Sequence, residues 1–188
     1  FIDRFIASAE AYSVETTLVF NKLDILDKKD NDELQHIIEL YEKIGYRCIK
    51  TIATQNTGLT EIKAAISGKI ALLSGNSGVG KSTLINSILG YAGAKTAEIS
   101  AYHHKGMHTT TFSEIYCLSD NTYIIDTPGI KGFGAVDMDE DEISHYFVEI
   151  FAKSKECRYP NCTHIHEPEC AVRQAVIDGA IADSRYTS

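Results

Sequence analysis

Gly75-Asn76-Ser77-Gly78-Val79-Gly80-Lys81-Ser82 matches GxxxxGK[ST] in full. Glycines at this spacing let successive backbone N–H groups turn inward around a phosphate, and a helix opening at the lysine adds the partial positive charge of its N-terminus. Lys81 is placed to reach β and γ phosphates and the Ser82 hydroxyl to ligate Mg²⁺, with Thr83 closing the nucleotide-binding run. A second run, Asn21-Lys22-Leu23-Asp24, bears on the base. A carboxylate only accepts hydrogen bonds, and guanine offers two donors on one edge where adenine offers an acceptor and C–H, so Asp24 selects guanine. The stem of Lys22 can cover a face of the base, and the Asn21 amide can tie its loop to the phosphate loop.

Two further segments belong with these. Asp126-Thr127-Pro128-Gly129 reads DxxG. There Asp126 would hold Mg²⁺ through water and the Gly129 N–H would sense a γ-phosphate. The polar stretch 103–111 suits a mobile first switch, and a threonine hydroxyl in it, Thr110 or next Thr109, would complete the magnesium shell. The stretch 51–59 resembles the Ser-Ala-x…Thr-Gly-x-Gly-Leu loop of guanine-nucleotide domains. Ala53 stands as its backbone donor to the guanine carbonyl oxygen, and Ile52 stands where that loop usually has serine.

A different chemistry gathers near the C-terminal end. Cys157, Cys162, His164 and Cys170 are spaced C-x₄-C-x-H-x₅-C. Three thiolates and one imidazole make a closed tetrahedral Zn²⁺ site that implies structure more than catalysis, since no coordination position stays open. His166 is the alternative to His164. Cys48 and Cys117 stand singly in β-rich stretches and read as buried small hydrophobes.

The elements that must position these groups follow from periodicity. Residues 16–20, 47–52, 70–73, 111–118 and 122–125 read as strands, the third buried and the last two a hairpin; residues 31–44, 59–66 and 81–89 read as helices. This alternation argues for an α/β fold, a mostly parallel sheet with helices on both faces. Phe1, Ile2, Phe5, Ile6 and Ala9 repeat at helical spacing, as though the chain opens inside an amphipathic helix. Asp137, Asp139, Glu140, Asp141 and Glu142 crowd the front of a further helix with the stripe Ile143, Phe147, Ile150 and Phe151, and a last helix covers 171–177.

The 188 residues suffice for one domain with a small appendage. Eighteen basic against 26 acidic side chains give a net charge of −8 and no overall positive field for a phosphate backbone. No run of 18 apolar residues is present, which argues against a membrane span, and no signal-peptide pattern opens the chain, which makes the cytoplasm the default.

Motif order is itself informative. Ordinary small GTPases carry the phosphate loop first and NKxD near the end, whereas here NKxD precedes it, so the order is circularly permuted. NKLD, GNSGVGKS, GMHTTT, DTPG and the cysteine cluster in this order resemble the circularly permuted ribosome-biogenesis GTPases of bacteria, the RsgA type. The resemblance implies a permuted P-loop GTPase domain over 1–135 and a truncated, helical zinc-binding domain over 136–188, without the N-terminal OB-fold of that family. It implies a monomer that binds GTP/GDP, Mg²⁺ and Zn²⁺ and hydrolyses GTP on the small (30S) ribosomal subunit and its rRNA late in assembly. A GTP-gated ribosome-binding module and a permuted GTPase of the large subunit are the alternatives. Ile130 stands where a water-orienting glutamine usually follows DxxG. The resemblance therefore points to His108, with Lys81 and Gly129, as the catalytic set; the alternative is that His108 only positions its switch.

Overall fold

The computed structural model describes residues 2–90, 114–119, 121–126 and 142–188. His108, Thr109, Thr110, Thr127, Gly129, Ile130 and the acidic run from Asp137 to Asp141 lie outside the described residues. The elements are α1 (Ile2–Ala11), β1 (Thr17–Phe20), α2 (Lys28–Ile44), β2 (Arg47–Lys50), α3 (Leu59–Ile66), β3 (Ile70–Leu73), α4 (Lys81–Leu89), β4 (Glu114–Ser119), β5 (Thr122–Asp126), α5 (Val148–Ser154), α6 (Ala171–Ile177) and α7 (Asp183–Tyr186). Single 3₁₀ turns occupy Leu23–Ile25, Ala53–Gln55 and Ile143–Tyr146. The chain divides into two compact units, Thr17–His36 with Cys48–Lys131, and Phe1–Thr16 with Ile37–Arg47 and Gly132–Ser188.

The first unit is the α/β part. β3 and β5 run parallel with Leu73 opposite Asp126, and β4 returns antiparallel on β5 as the expected hairpin, with a register shift between Cys117 and Ser119. β1 and β2 pair as a second, two-stranded sheet. Period-two alternation sends Leu73, Ile124, Tyr116 and Leu118 toward a core with Ile49, Leu59, Ile62, Leu84, Ile85 and Ile88. Each fully buried aliphatic there contributes about 1.5–3 kcal/mol. The opposite face corrects the expectation of a buried third strand: Ile70 is 70% and Leu72 50% exposed, because an alternating strand buries only one of its faces against that core. Cys117 is likewise exposed and Cys48 half-buried, so neither is the fully buried small hydrophobe expected.

Boundaries moved where local hydrogen bonding outweighed periodicity. α2 starts three residues before the expected 31 because Asp27 Oδ1 accepts the Asp30 N–H at 2.8 Å. β2 stops at Lys50, and Ile52 instead exchanges both backbone bonds with Thr57 at 3.2 Å, closing the turn that carries Ala53.

The second unit is helical. α1 fulfils the amphipathic reading with Ile6 and Ala7 buried. Phe147, Ile150, Cys170, Val172, Ala175 and Ile181 form a core with Ala7. The single helix expected through Ile143, Phe147 and Phe151 is interrupted: Phe147 is extended (φ −104°, ψ 94°), and its ring is buried with the Arg185 guanidinium 4.6 Å from its centroid. α6 is not the last helix, since α7 brings in Arg185, which is 1% exposed. Arg185 Nε and Nη2 donate to the Glu149 carboxylate at 2.6 and 2.9 Å and Nη1 to Asp3 Oδ1 at 2.9 Å. Tyr41 Oη and Ser188 Oγ add bonds to Asp3 at 2.8 and 2.9 Å. Burial pushes the Asp3 carboxyl up, but Arg185, Tyr41 and Ser188 together hold it below its usual value.

Candidate functional site

The phosphate loop sits between β3 and α4, as its sequence requires. Gly75, Gly78 and Gly80 all have positive φ. At Gly80 a Cβ would lie 2.5 Å from Asn21 Nδ2, so glycine is needed for the approach of another loop as well as for the backbone turn. Lys81 Nζ donates to the Gly75 and Asn76 carbonyls at 2.7 and 3.1 Å, which holds the ammonium over the loop. Ser82 and Thr83 fall in the first turn of α4.

Asn21 is the joint of this unit. Its Nδ2 donates to Val79 O at 3.1 Å, and its Oδ1 accepts from Thr51 Oγ1 and from the Ala53 N–H, both at 3.1 Å. One amide thus joins three loops that are distant in sequence. Lys22, in the left-handed region (φ 68°), donates to Gly78 O at 2.6 Å, so its stem lies along the phosphate loop. Asp24 lies in the following 3₁₀ turn and is exposed. The Ala53 N–H is thus already engaged within the chain, and Ser87 Oγ donates to the Ala53 carbonyl at 2.8 Å. Gly58, the N-cap of α3, is tight as well: a Cβ there would lie 2.2 Å from Lys50 O.

Asp126 ends β5 beside the phosphate-loop strand. Its Oδ1 is buried and has no hydrogen-bond partner among the described residues, and burial raises its carboxyl pKa, opposed by Lys81. A buried carboxylate oxygen of this kind suits a cation. Structure therefore gathers Asn21, Lys22, Ala53, the phosphate loop, Ser82, Thr83 and Asp126 within one compact unit. Sequence reasoning did not single out Thr51 or Ser87. Thr51 is fully buried, and its position at the end of the run 47–52, which reads as a strand and leads into a polar turn, was the available signal.

In the helical unit Cys157, Cys162, His164 and Cys170 come together, their ligand atoms all within 4.8 Å of one another. Cys157 and Cys170 Sγ are 3.9 Å apart, and His164 Nδ1 is 3.7 and 3.5 Å from them. A tetrahedral zinc with Zn–S of about 2.3 Å and Zn–N of about 2.0–2.1 Å spaces its ligands about 3.5–3.8 Å apart, so the donor set fits that ion. Burial lowers the His164 pKa, favouring the neutral imidazole a ligand needs, while burial and the neighbouring thiols push the Cys162 thiol up to about 12. His166 is exposed and outside the group. The Glu167 carboxylate accepts from Thr163 N and Oγ1 at 2.7 Å and from Ile165 N and His166 N at 3.1 Å, which folds the loop around His164. Hydrogen bonds to its ionised form bring Glu167 down to about 2. Tyr186 Oη donates to the His164 carbonyl at 2.6 Å.

A phosphate loop on an α/β sheet, preceded in the chain by the NKLD loop and the Ala53 turn and followed by a Cys₃His cluster, defines a circularly permuted P-loop GTPase fold. The sequence profile of the RsgA GTPase family matches residues 1–136, and the chain belongs to that family. It is 60% identical over its whole length to small ribosomal subunit biogenesis GTPase RsgA 2 of Bacteroides thetaiotaomicron and 58% identical to RsgA of Phocaeicola vulgatus. It spans about 61% of the length of these curated relatives. YjeQ from Thermotoga maritima is similar over 99% of this chain and 61% of its own, with a TM-score of 0.80 and 35% identity. YloQ, described as a circularly permuted GTPase, is similar over 99% of this chain and 58% of its own, with a TM-score of 0.77 and 29% identity. No helix among the described residues is long and apolar enough to cross a membrane.

Proposed function

We propose that this chain is the guanine-nucleotide and zinc-binding part of a GTPase that hydrolyses GTP to GDP and phosphate in maturation of the small ribosomal subunit. The observation that carries the reading is Asn21, whose amide joins the base loop, the phosphate loop and the Ala53 turn. The names of its relatives support the ribosomal part. The functional division runs at 135/136, a G domain followed by a metal-held domain, with 1–16 and 37–47 packed in the same compact unit as the latter.

Each group has a role in this reading. Asp24 accepts the N1–H and amino group of guanine, Lys22 lies along the base, and the Ala53 turn faces its carbonyl oxygen. Gly75, Asn76, Ser77, Gly78, Val79 and Gly80 offer backbone N–H groups to the phosphates, and Lys81 carries the compensating charge. Ser82, Thr110 and Asp126 would hold Mg²⁺, which neutralises charge on the β and γ phosphates when bound. The Gly129 N–H holds the γ-phosphate, and His108 polarises the attacking water, a task the apolar Ile130 cannot perform. Zn²⁺ on Cys157, Cys162, His164 and Cys170 is structural.

The test is GTP turnover by the full-length protein with small subunits, large subunits or neither. Strong stimulation by small subunits alone supports the reading. Equal rates in all three overturn the partner assignment, and stimulation by large subunits alone reassigns the partner.

A further inference from the structure

Ser87 of α4 hydrogen-bonds the Ala53 turn without belonging to any motif. A serine inside a helix usually bonds its own preceding turn. This one donates across to the Ala53 carbonyl at 2.8 Å. The 3₁₀ turn at Ala53 has no side-chain cap, and the Ala53 carbonyl accepts from the Asn56 N–H at 3.3 Å within the turn as well as from Ser87 on α4.

The direction of that bond matters. With no cis peptide present, the Thr54 N–H points opposite to the Ala53 C=O. Fixing the carbonyl on α4 therefore turns the Thr54 N–H away from the core, where Ala53 is 3% exposed, toward the exposed side on which Thr54 lies. The Ala53 N–H is engaged by Asn21, whereas the Thr54 N–H meets no acceptor among the described residues. We propose that Ser87 is a positioning residue for base selection, holding the Ala53–Thr54 peptide so that the Thr54 N–H meets the 6-carbonyl oxygen of guanine. α4 then carries both halves of the site: Lys81 and Ser82 at its start serve the phosphates, and Ser87, about 9 Å further along the axis at 1.5 Å per residue, sets the base loop.

This inference rests on the guanine reading, and the experiment separates the two. GDP and 6-thio-GDP, which keeps N1–H and the amino group but offers sulfur as a weak acceptor at position 6, are titrated into the full-length wild type, Ser87→Ala and Ser87→Thr. The Ala variant is expected to weaken GDP about fivefold while 6-thio-GDP changes less than about twofold, and Thr, which keeps the hydroxyl, restores GDP affinity. Unchanged GDP binding, an equal loss for both nucleotides, or a Thr variant as weak as Ala overturns the proposal. ADP bound by the wild type as tightly as GDP overturns the guanine reading itself, and this proposal with it.

Discussion

On the proposed function, the two units answer the same problem, holding a small charged ligand, in opposite ways. In the nucleotide unit the groups stand on exposed loops: Lys22, Asp24 and residues 76–79 are all open to solvent, and the loops are joined by side chains bonding main-chain atoms of other loops. In the metal unit His164 and Cys170 are buried, and the buried cation Arg185 is paired with Asp3 and Glu149. Loops open to solvent suit a ligand that exchanges. Three thiols crowded beside one imidazole suit a metal that is part of the fold.

That contrast predicts unequal consequences. The largest effect is expected from Cys170→Ser or strong chelation, since structural zinc contributes on the order of 10 kcal/mol or more of folding free energy in small metal domains. Hydrogen exchange should rise throughout α5, α6 and α7 with zinc released, while GDP affinity stays within about twofold; equal loss in both units would break the comparison. Arg185→Ala comes next, at about 3–5 kcal/mol, because it leaves the buried Asp3 and the half-buried Glu149 without their cation. Urea denaturation reads it, and adding Glu149→Gln should recover part of the loss.

The nucleotide unit should respond through binding and leave stability alone. Lys81→Ala is expected to weaken GDP about a hundredfold at an unchanged melting temperature, and Asp24→Asn to erode the preference for guanine over adenine by a similar factor. Calorimetric titration with GDP and ADP measures both. Glu167→Gln should weaken zinc about tenfold by loosening the loop around His164, as measured by competition with a chromophoric chelator. The smallest effect is that of His166→Ala, which should leave zinc stoichiometry unchanged, since this imidazole is exposed and outside the cluster.

How much of this was legible in the sequence differs between the regions for the same physical reason. Backbone-built sites leave motifs, because only glycine tolerates the φ values at 75, 78 and 80 and only a short amide reaches from residue 21 to Val79. The strand and helix assignments of the α/β unit followed from period and held to within a few residues. The Cys₃His cluster was legible from spacing, and the structure gathers His164 rather than His166 into it. Arg185 was not legible: a lone arginine near Tyr186 reads as a solvated surface residue, and its partners Asp3 and Glu149 lie 182 and 36 residues away. The break at Phe147 was hidden likewise, since its cause is that ring's packing under Arg185. Ser87 was invisible because a serine in a helix carries no sign of the loop it will meet.

The central claim is that Asn21, Lys22, Asp24 and the phosphate loop form one guanine-selective site. Calorimetric titration of the wild-type full-length protein with GDP and with ADP tests it most directly. One GDP per chain is expected, with ADP weaker by at least about a thousandfold, because a site built to pair the two donors of the guanine edge rejects a base that lacks them. Equal affinities for the two nucleotides would contradict it.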